Sequence, residues 1–135
     1  IVDEPTSGLD PQERVRFRNV LTRFSINRTV LLSTHIVADI ESNCRRIAVM
    51  NKGRLVMKGS LAELQACGQG QVWEAVMSPD EFALIDPMSV VSTRTVPEGI
   101  LCRFISPTAP VEGAFAADPS LEDGYLALLR RDRHA

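Results

Sequence analysis

The sequence predicts an α/β fold followed by a small α+β lobe. Two observations predict the first part. Ile1-Val2 and the run Thr29-Val30-Leu31-Leu32-Ser33 are short apolar stretches on either side of an amphipathic helical pattern, the order of a βαβ unit with buried parallel strands. A third observation, alternating short runs with turn residues beyond position 71, predicts the lobe. The expected organisation is residues 1–67, a linker at 68–71 (Gly68-Gln69-Gly70-Gln71) and the lobe at 72–135.

The chain has 135 residues, 44% hydrophobic and 24% charged, with a net charge of -2. That is ordinary globular composition, and its charge gives no reason to expect nucleic acid as a partner. No apolar run is long enough for a membrane-spanning helix, and no signal-peptide pattern occurs. Cys44, Cys67 and Cys102 are odd in number and widely spaced, so they read as reduced thiols and not as a disulfide frame or a zinc site.

In chain order, Ile1 and Val2 are expected at the end of a buried strand, delivering Asp3 and Glu4 to the carboxyl edge where open α/β sheets place ligands. Adjacent strand residues point in opposite directions, so the two carboxylates are expected to do different work. One of them suits a hydrated magnesium ion, and the other suits orienting a water for attack on phosphorus. Asp10-Pro11-Gln12-Glu13 opens a helix: Asp10 as N-cap, Pro11 at the first helical position, Glu13 completing a capping box. Phe17, Val20, Leu21 and Phe24 form its expected buried face, with Arg14, Arg16, Arg18 and Arg23 on a solvated face. The second apolar run delivers Thr34 and His35 to the same edge as the acidic pair. Imidazole there suits sensing a γ-phosphate.

A helix is expected from 36 to about 44. Two strands flanking Asn51-Lys52-Gly53 then form a hairpin with Gly53 at positive φ, and Ser60 caps a short helix ended by Gly68. In the lobe, Val72 to Val76 reads as a strand and Ser78 as the cap of a helix carrying Phe82, Leu84 and Ile85. Residues 89–96 and 100–105 read as strands around Pro97-Glu98-Gly99. Ser120 caps a last helix with Leu121, Tyr125, Leu128 and Leu129 on one face; Gly124 inside it costs about 1 kcal/mol relative to Ala in an exposed helix. Trp73 is expected in the core. Glu122 and Asp123 are expected to stabilise the helix dipole, and His134, next to the C-terminus, to be disordered or at the surface.

Asp3-Glu4-Pro5 followed by Ser7-Gly8-Leu9-Asp10, with His35 closing the next apolar run, resembles the Walker B end, D-loop and switch histidine of ABC-type ATPases. Pro119-Ser120-Leu121-Glu122-Asp123-Gly124-Tyr125-Leu126 resembles the closing pattern of a bacterial export branch of that family, with Gly124 where Ala is more usual. The resemblance implies the C-terminal part of a RecA-like P-loop NTPase sheet, with ATP and Mg2+ as cofactors. It also implies Asp3 on magnesium through water, and Glu4 and His35 as catalytic residues. In the same reading Ser7, Gly8, Leu9 and Asp10 communicate across a head-to-tail pair of nucleotide-binding subunits, homo- or heterodimeric. The implied partner is a transmembrane permease subunit, which would hold the protein at the cytoplasmic face of the membrane. The sequence contains neither a G-x-x-x-x-G-K-[ST] phosphate loop nor an LSGGQ-type signature. It therefore reads as the later part of a longer polypeptide, inactive alone. Two other readings stay open: a soluble ABC-type ATPase acting on DNA or the ribosome, and a non-catalytic regulatory or dimerisation role for the lobe. The closing pattern and the lack of a basic tract favour the transporter.

Overall fold

The computed structural model describes residues 1–133. It is a mixed α/β chain with three small sheets, and it divides into two compact units, Ile1–Ile47 and Ala48–Ala135.

In the first unit, β1 (Val2–Asp3) pairs in parallel with β2 (Leu32–Ser33), Val2 opposite Leu32 and Asp3 opposite Ser33. The crossover is α1 (Pro11–Phe24), and α2 (Val37–Asn43) follows β2. Asp10 caps α1 as its sequence predicts, accepting from Glu13 N–H at 2.8 Å, with Pro11 at the first helical position. The strands are shorter than the apolar runs. Ile1 is 99% exposed and Leu31 65%, so the expectation of a buried strand at Ile1 is corrected. The apolar face of α1 is corrected too. Leu21 is buried, Phe17 half-buried, and Val20 and Phe24 more than half exposed. The physical reason is the same for both: a parallel ladder two residues long provides too little sheet to cover.

β3 (Arg46–Asn51) straddles the division between units and pairs with β4 (Arg54–Ser60) across a two-residue turn. Both Lys52 and Gly53 have positive φ, the conformation that matches strand twist in the tightest hairpins. Sequence reading assigned positive φ to Gly53 alone. Ser60 then caps α3 (Leu61–Ala66). Gly68-Gln69-Gly70-Gln71, expected as a linker, is a turn closed by backbone hydrogen bonds, with Gly68 buried.

The largest sheet has order β6-β7-β5-β8: β5 (Val72–Met77), β6 (Val90–Val96), β7 (Gly99–Ile105) and β8 (Phe115–Ala116), antiparallel throughout. β8 lies in a stretch that sequence reading left without structure; two residues are too few to show an alternation. Pairing of β5 with β7 sorts residues onto two faces. One carries Trp73, Ala75, Met77, Ile100, Cys102 and Phe104 and forms a core with Phe82 and Ile85, from and just after α4 (Pro79–Leu84). Ser78 and Glu81 form the reciprocal capping box that opens α4. Trp73 packs against this core, and its indole N–H donates to Ser106 O at 3.1 Å, so it is structural as expected. The other face carries Val72, Glu74, Arg103 and Ile105, with α5 (Leu121–Arg133) packed on β7.

α5 also packs closely on α3. A Cβ built on Gly124 would lie 2.1 Å from Leu64 O and 2.8 Å from Gln65 Cα, both backbone atoms that cannot swing aside. This buried glycine is what the helix contact requires. Gly124→Ala, which raises intrinsic helix propensity by about 1 kcal/mol, is therefore expected to destabilise the chain by about 1–3 kcal/mol through overpacking. A thermal unfolding midpoint equal to or above the parent's would show that the helices can separate without cost. His134, expected to be disordered or at the surface, lies outside the described residues.

Candidate functional site

The chemistry-bearing residues of the first unit gather at the carboxyl ends of β1 and β2. The Asp3 side chain accepts from Ser33 Oγ, one strand over. The next residue, Glu4, leaves the strand with φ at +46°, a conformation that costs a non-glycine residue free energy. Its carboxylate meets His35 Nδ1 at 2.9 and 3.0 Å. A carboxylate only accepts hydrogen bonds, so Nδ1 carries the proton and donates to Glu4, and Nε2 remains available to another partner. The two adjacent carboxylates thus have separate partners, although Glu4 lies beyond the strand and not in its alternation. His35 is 74% exposed and Glu4 38%, which leaves the pair open to a ligand. Asp3 and Ser33 are exposed as well.

The turn after Glu4 is closed by Ser7 N–H donating to Glu4 O and Leu9 N–H to Thr6 O. Gly8 takes φ of +81°, with Ser7, Gly8 and Asp10 exposed and Leu9 half-buried. Sequence reading missed what anchors this turn. Thr6, 1% exposed, donates its hydroxyl to Asp39, also 1% exposed and on α2. Arg18 on α1 donates to the same carboxylate from Nε at 3.1 Å and from Nη2 at 2.9 Å. Burial alone would push the Asp39 carboxyl up. The Thr6 hydroxyl and the Arg18 guanidinium outweigh it, and the carboxyl stays below the usual range. Arg18 is therefore not part of a solvated face, as its sequence setting suggested, but a clamp between α1 and α2. The available signal was weak: one acid between Val37 and Ile40 in a short helix.

No family model matches the chain. Nod factor export ATP-binding protein I of Paraburkholderia xenovorans is 34% identical over 98% of this chain and 47% of its own length. The protein of the same name from Burkholderia orbicola is 32% identical over the same shares. An ABC transporter ATP-binding protein of Synechocystis is 28% identical over 96% of this chain and 39% of its own length. The chain belongs to the ABC transporter ATP-binding proteins. It spans about half the length of the curated relatives it matches.

Within this family ATP is the expected ligand, and magnesium its usual companion. The donor set at the sheet edge fits such an ion. Magnesium keeps several waters and takes one or two carboxylates plus phosphate oxygens, and Asp3 offers one exposed carboxylate of that kind. Among the described residues no cluster of three or more His, Cys, Asp or Glu side chains forms an all-protein metal cage. No described helix is long and apolar enough to cross a membrane.

Asp123, in the acidic pair Glu122-Asp123, does different work. Asp123 is 4% exposed and takes part in a buried ion-pair network. Arg103 donates to it from Nε at 3.0 Å and Nη2 at 2.6 Å, to Glu74 at 3.1 Å and to Asp118 O at 2.7 Å. Asp123 also accepts from Ser120 N–H at 2.8 Å, while its own N–H donates to Ser120 Oγ at 3.1 Å. The expectation of a dipole role for Asp123 is thus extended: it caps α5 and fastens α5 to the sheet.

Proposed function

We propose that this chain contributes half of a nucleotide-hydrolysis site to an ATPase that powers an ABC membrane transporter, in the export direction. The observation that carries the reading is the Glu4–His35 pair at the sheet edge. The family relationship supports it, as do the names of two relatives, which specify export. In this reading residues 1–67 belong to the nucleotide-binding domain of a P-loop NTPase, 68–71 connect, and 72–135 form an accessory lobe without catalytic residues.

Glu4 orients the attacking water and takes its proton. His35, steered by Glu4 through Nδ1, presents Nε2 to the γ-phosphate. Asp3 would hold magnesium through water, and the ion would offset phosphate charge. Ser7, Gly8 and Asp10, exposed, and Leu9, half-buried, form a turn suited to contact with a second nucleotide-binding subunit. Thr6, Asp39 and Arg18 hold that turn in place from beneath. A permease subunit is the partner that would bring the protein to the cytoplasmic face of the membrane. Hydrolysis of this kind depends on positioning and electrostatics, so each group contributes by where it is held.

The sequence lacks a phosphate loop, whose amide cradle and lysine supply phosphate affinity. Calorimetry with Mg-ATP is expected to show no saturable heat for this chain, and binding once a phosphate loop and signature sequence are joined to it. Comparable binding by both would overturn the half-site reading.

A further inference from the structure

The C-terminal unit contains a cavity of about 300 Å³ between α4 and the loop before β8. Its lining is apolar, with Ala75, Met77, Leu84, Ile85 and Val111 among its residues, and it carries two carboxylates, Glu81 and Glu112. Both glutamates are exposed, and Leu84 is 88% exposed beside them. The segments that build this region contain no compensating cation: no Lys or Arg occurs from 59 to 93 or from 104 to 129. Of the two arginines between those stretches, Arg103 is committed to Glu74 and Asp123 on the opposite face of the sheet. Arg94 lies on edge strand β6, two strands away from β5.

The volume is at the low end for a small-molecule pocket. It suits one large apolar side chain, the kind of anchor that centres a protein contact. Carboxylates at the rim with no cation beside them, Glu81 holding only the Ser78 N–H of its capping box, favour positive charge next to that anchor and disfavour negative charge. We propose that this cavity seats an apolar side chain from a partner-protein segment that carries Lys or Arg beside the anchor. The proposal is independent of the hydrolysis site.

The test uses the full chain, labelled with 15N, titrated with two acetylated and amidated tetrapeptides, Lys-Leu-Phe-Lys and Glu-Leu-Phe-Glu. The basic peptide is expected to give saturable shifts at Ala75, Met77, Leu84, Ile85, Val111 and Gly113, binding about tenfold more tightly than the acidic one. Glu81→Gln together with Glu112→Gln is expected to erase that preference. Gln at the Glu81 position can keep the α4 capping box, so the helix should survive. Equal affinity of the two peptides, shifts centred elsewhere, or no saturation by about 5 mM, the weak end of measurable affinity, would overturn the proposal. So would the same shifts on concentrating the protein without peptide, which would assign the cavity to a second copy. Benzylamine matching the basic peptide would assign it to a small amine instead, and would equally overturn it.

Discussion

Glu4→Gln, made in a longer polypeptide that supplies a phosphate loop and signature sequence, is expected to bind Mg-ATP nearly as well as the parent while turnover falls about 10²–10⁴-fold. The substitution keeps size and one acceptor oxygen but removes the carboxylate proposed to take the proton from water. It also removes the charge that draws His35 Nδ1 to 2.9 Å. Steady-state hydrolysis and nucleotide binding, measured on the same preparation, separate the two effects. Near-normal turnover would remove Glu4 from the role assigned to it. A matched loss of binding and turnover would mean that the residue shapes the edge of the sheet instead, a reading its positive φ would then explain. His35→Ala is the useful companion, because it leaves the Glu4 carboxylate in place without its steering partner.

Arg103→Met is expected to be the most damaging single change to the C-terminal unit. Its methylene stem is largely retained, but Asp123 is left buried with no cation, and Glu74 loses its cross-strand partner. Breaking one side of a buried pair costs about 3–5 kcal/mol; the lower end applies because the arginine side chain keeps 23% of its exposure. Urea unfolding of parent and variant would measure it. The pH dependence tests the cause. Burial pushes the Asp123 carboxyl up, but Arg103 and the Ser120 amide and hydroxyl outweigh it and hold it below the ordinary range. A depressed carboxyl contributes stability that is present above its unfolded pKa and is lost as pH falls through its folded pKa. In Arg103→Met the burial effect is no longer offset by the guanidinium, so the variant is penalised while Asp123 is ionised and relieved once it is protonated. The difference between parent and variant should therefore be large at neutral pH and shrink in acid. A constant difference would assign the loss to packing alone. Arg103→Met combined with Asp123→Asn should recover part of the loss, because Asn can keep the cap while removing the stranded charge.

Both predictions depend on side chains that differ in how far they could be read in advance. Glu4 and His35 were legible because each closes a short apolar run, and β1 and β2 bring those ends together. Their mutual contact was not legible, since it requires Glu4 to leave the strand at positive φ. Arg103 gave almost no warning. It alternates with Cys102 and Phe104 on a strand, which places it on the opposite face but does not say that α5 covers that face. Gly124 looked like a weakness in a helix until α3 was seen against it.

The sequence by itself determined the helix caps, the hairpins, the order of strands and helices apart from β8, and the family. These depend on residues within about a turn of one another, or on motifs in a set order. Only the tertiary structure decided which polar groups are buried, and with what partners. Thr6, Arg18 and Asp39 are brought together by the crossover, and Glu74, Arg103 and Asp123 by strand register and a packed helix. A buried charge is stable only beside its partner, and these partners come from separate elements of the chain that only folding sets side by side.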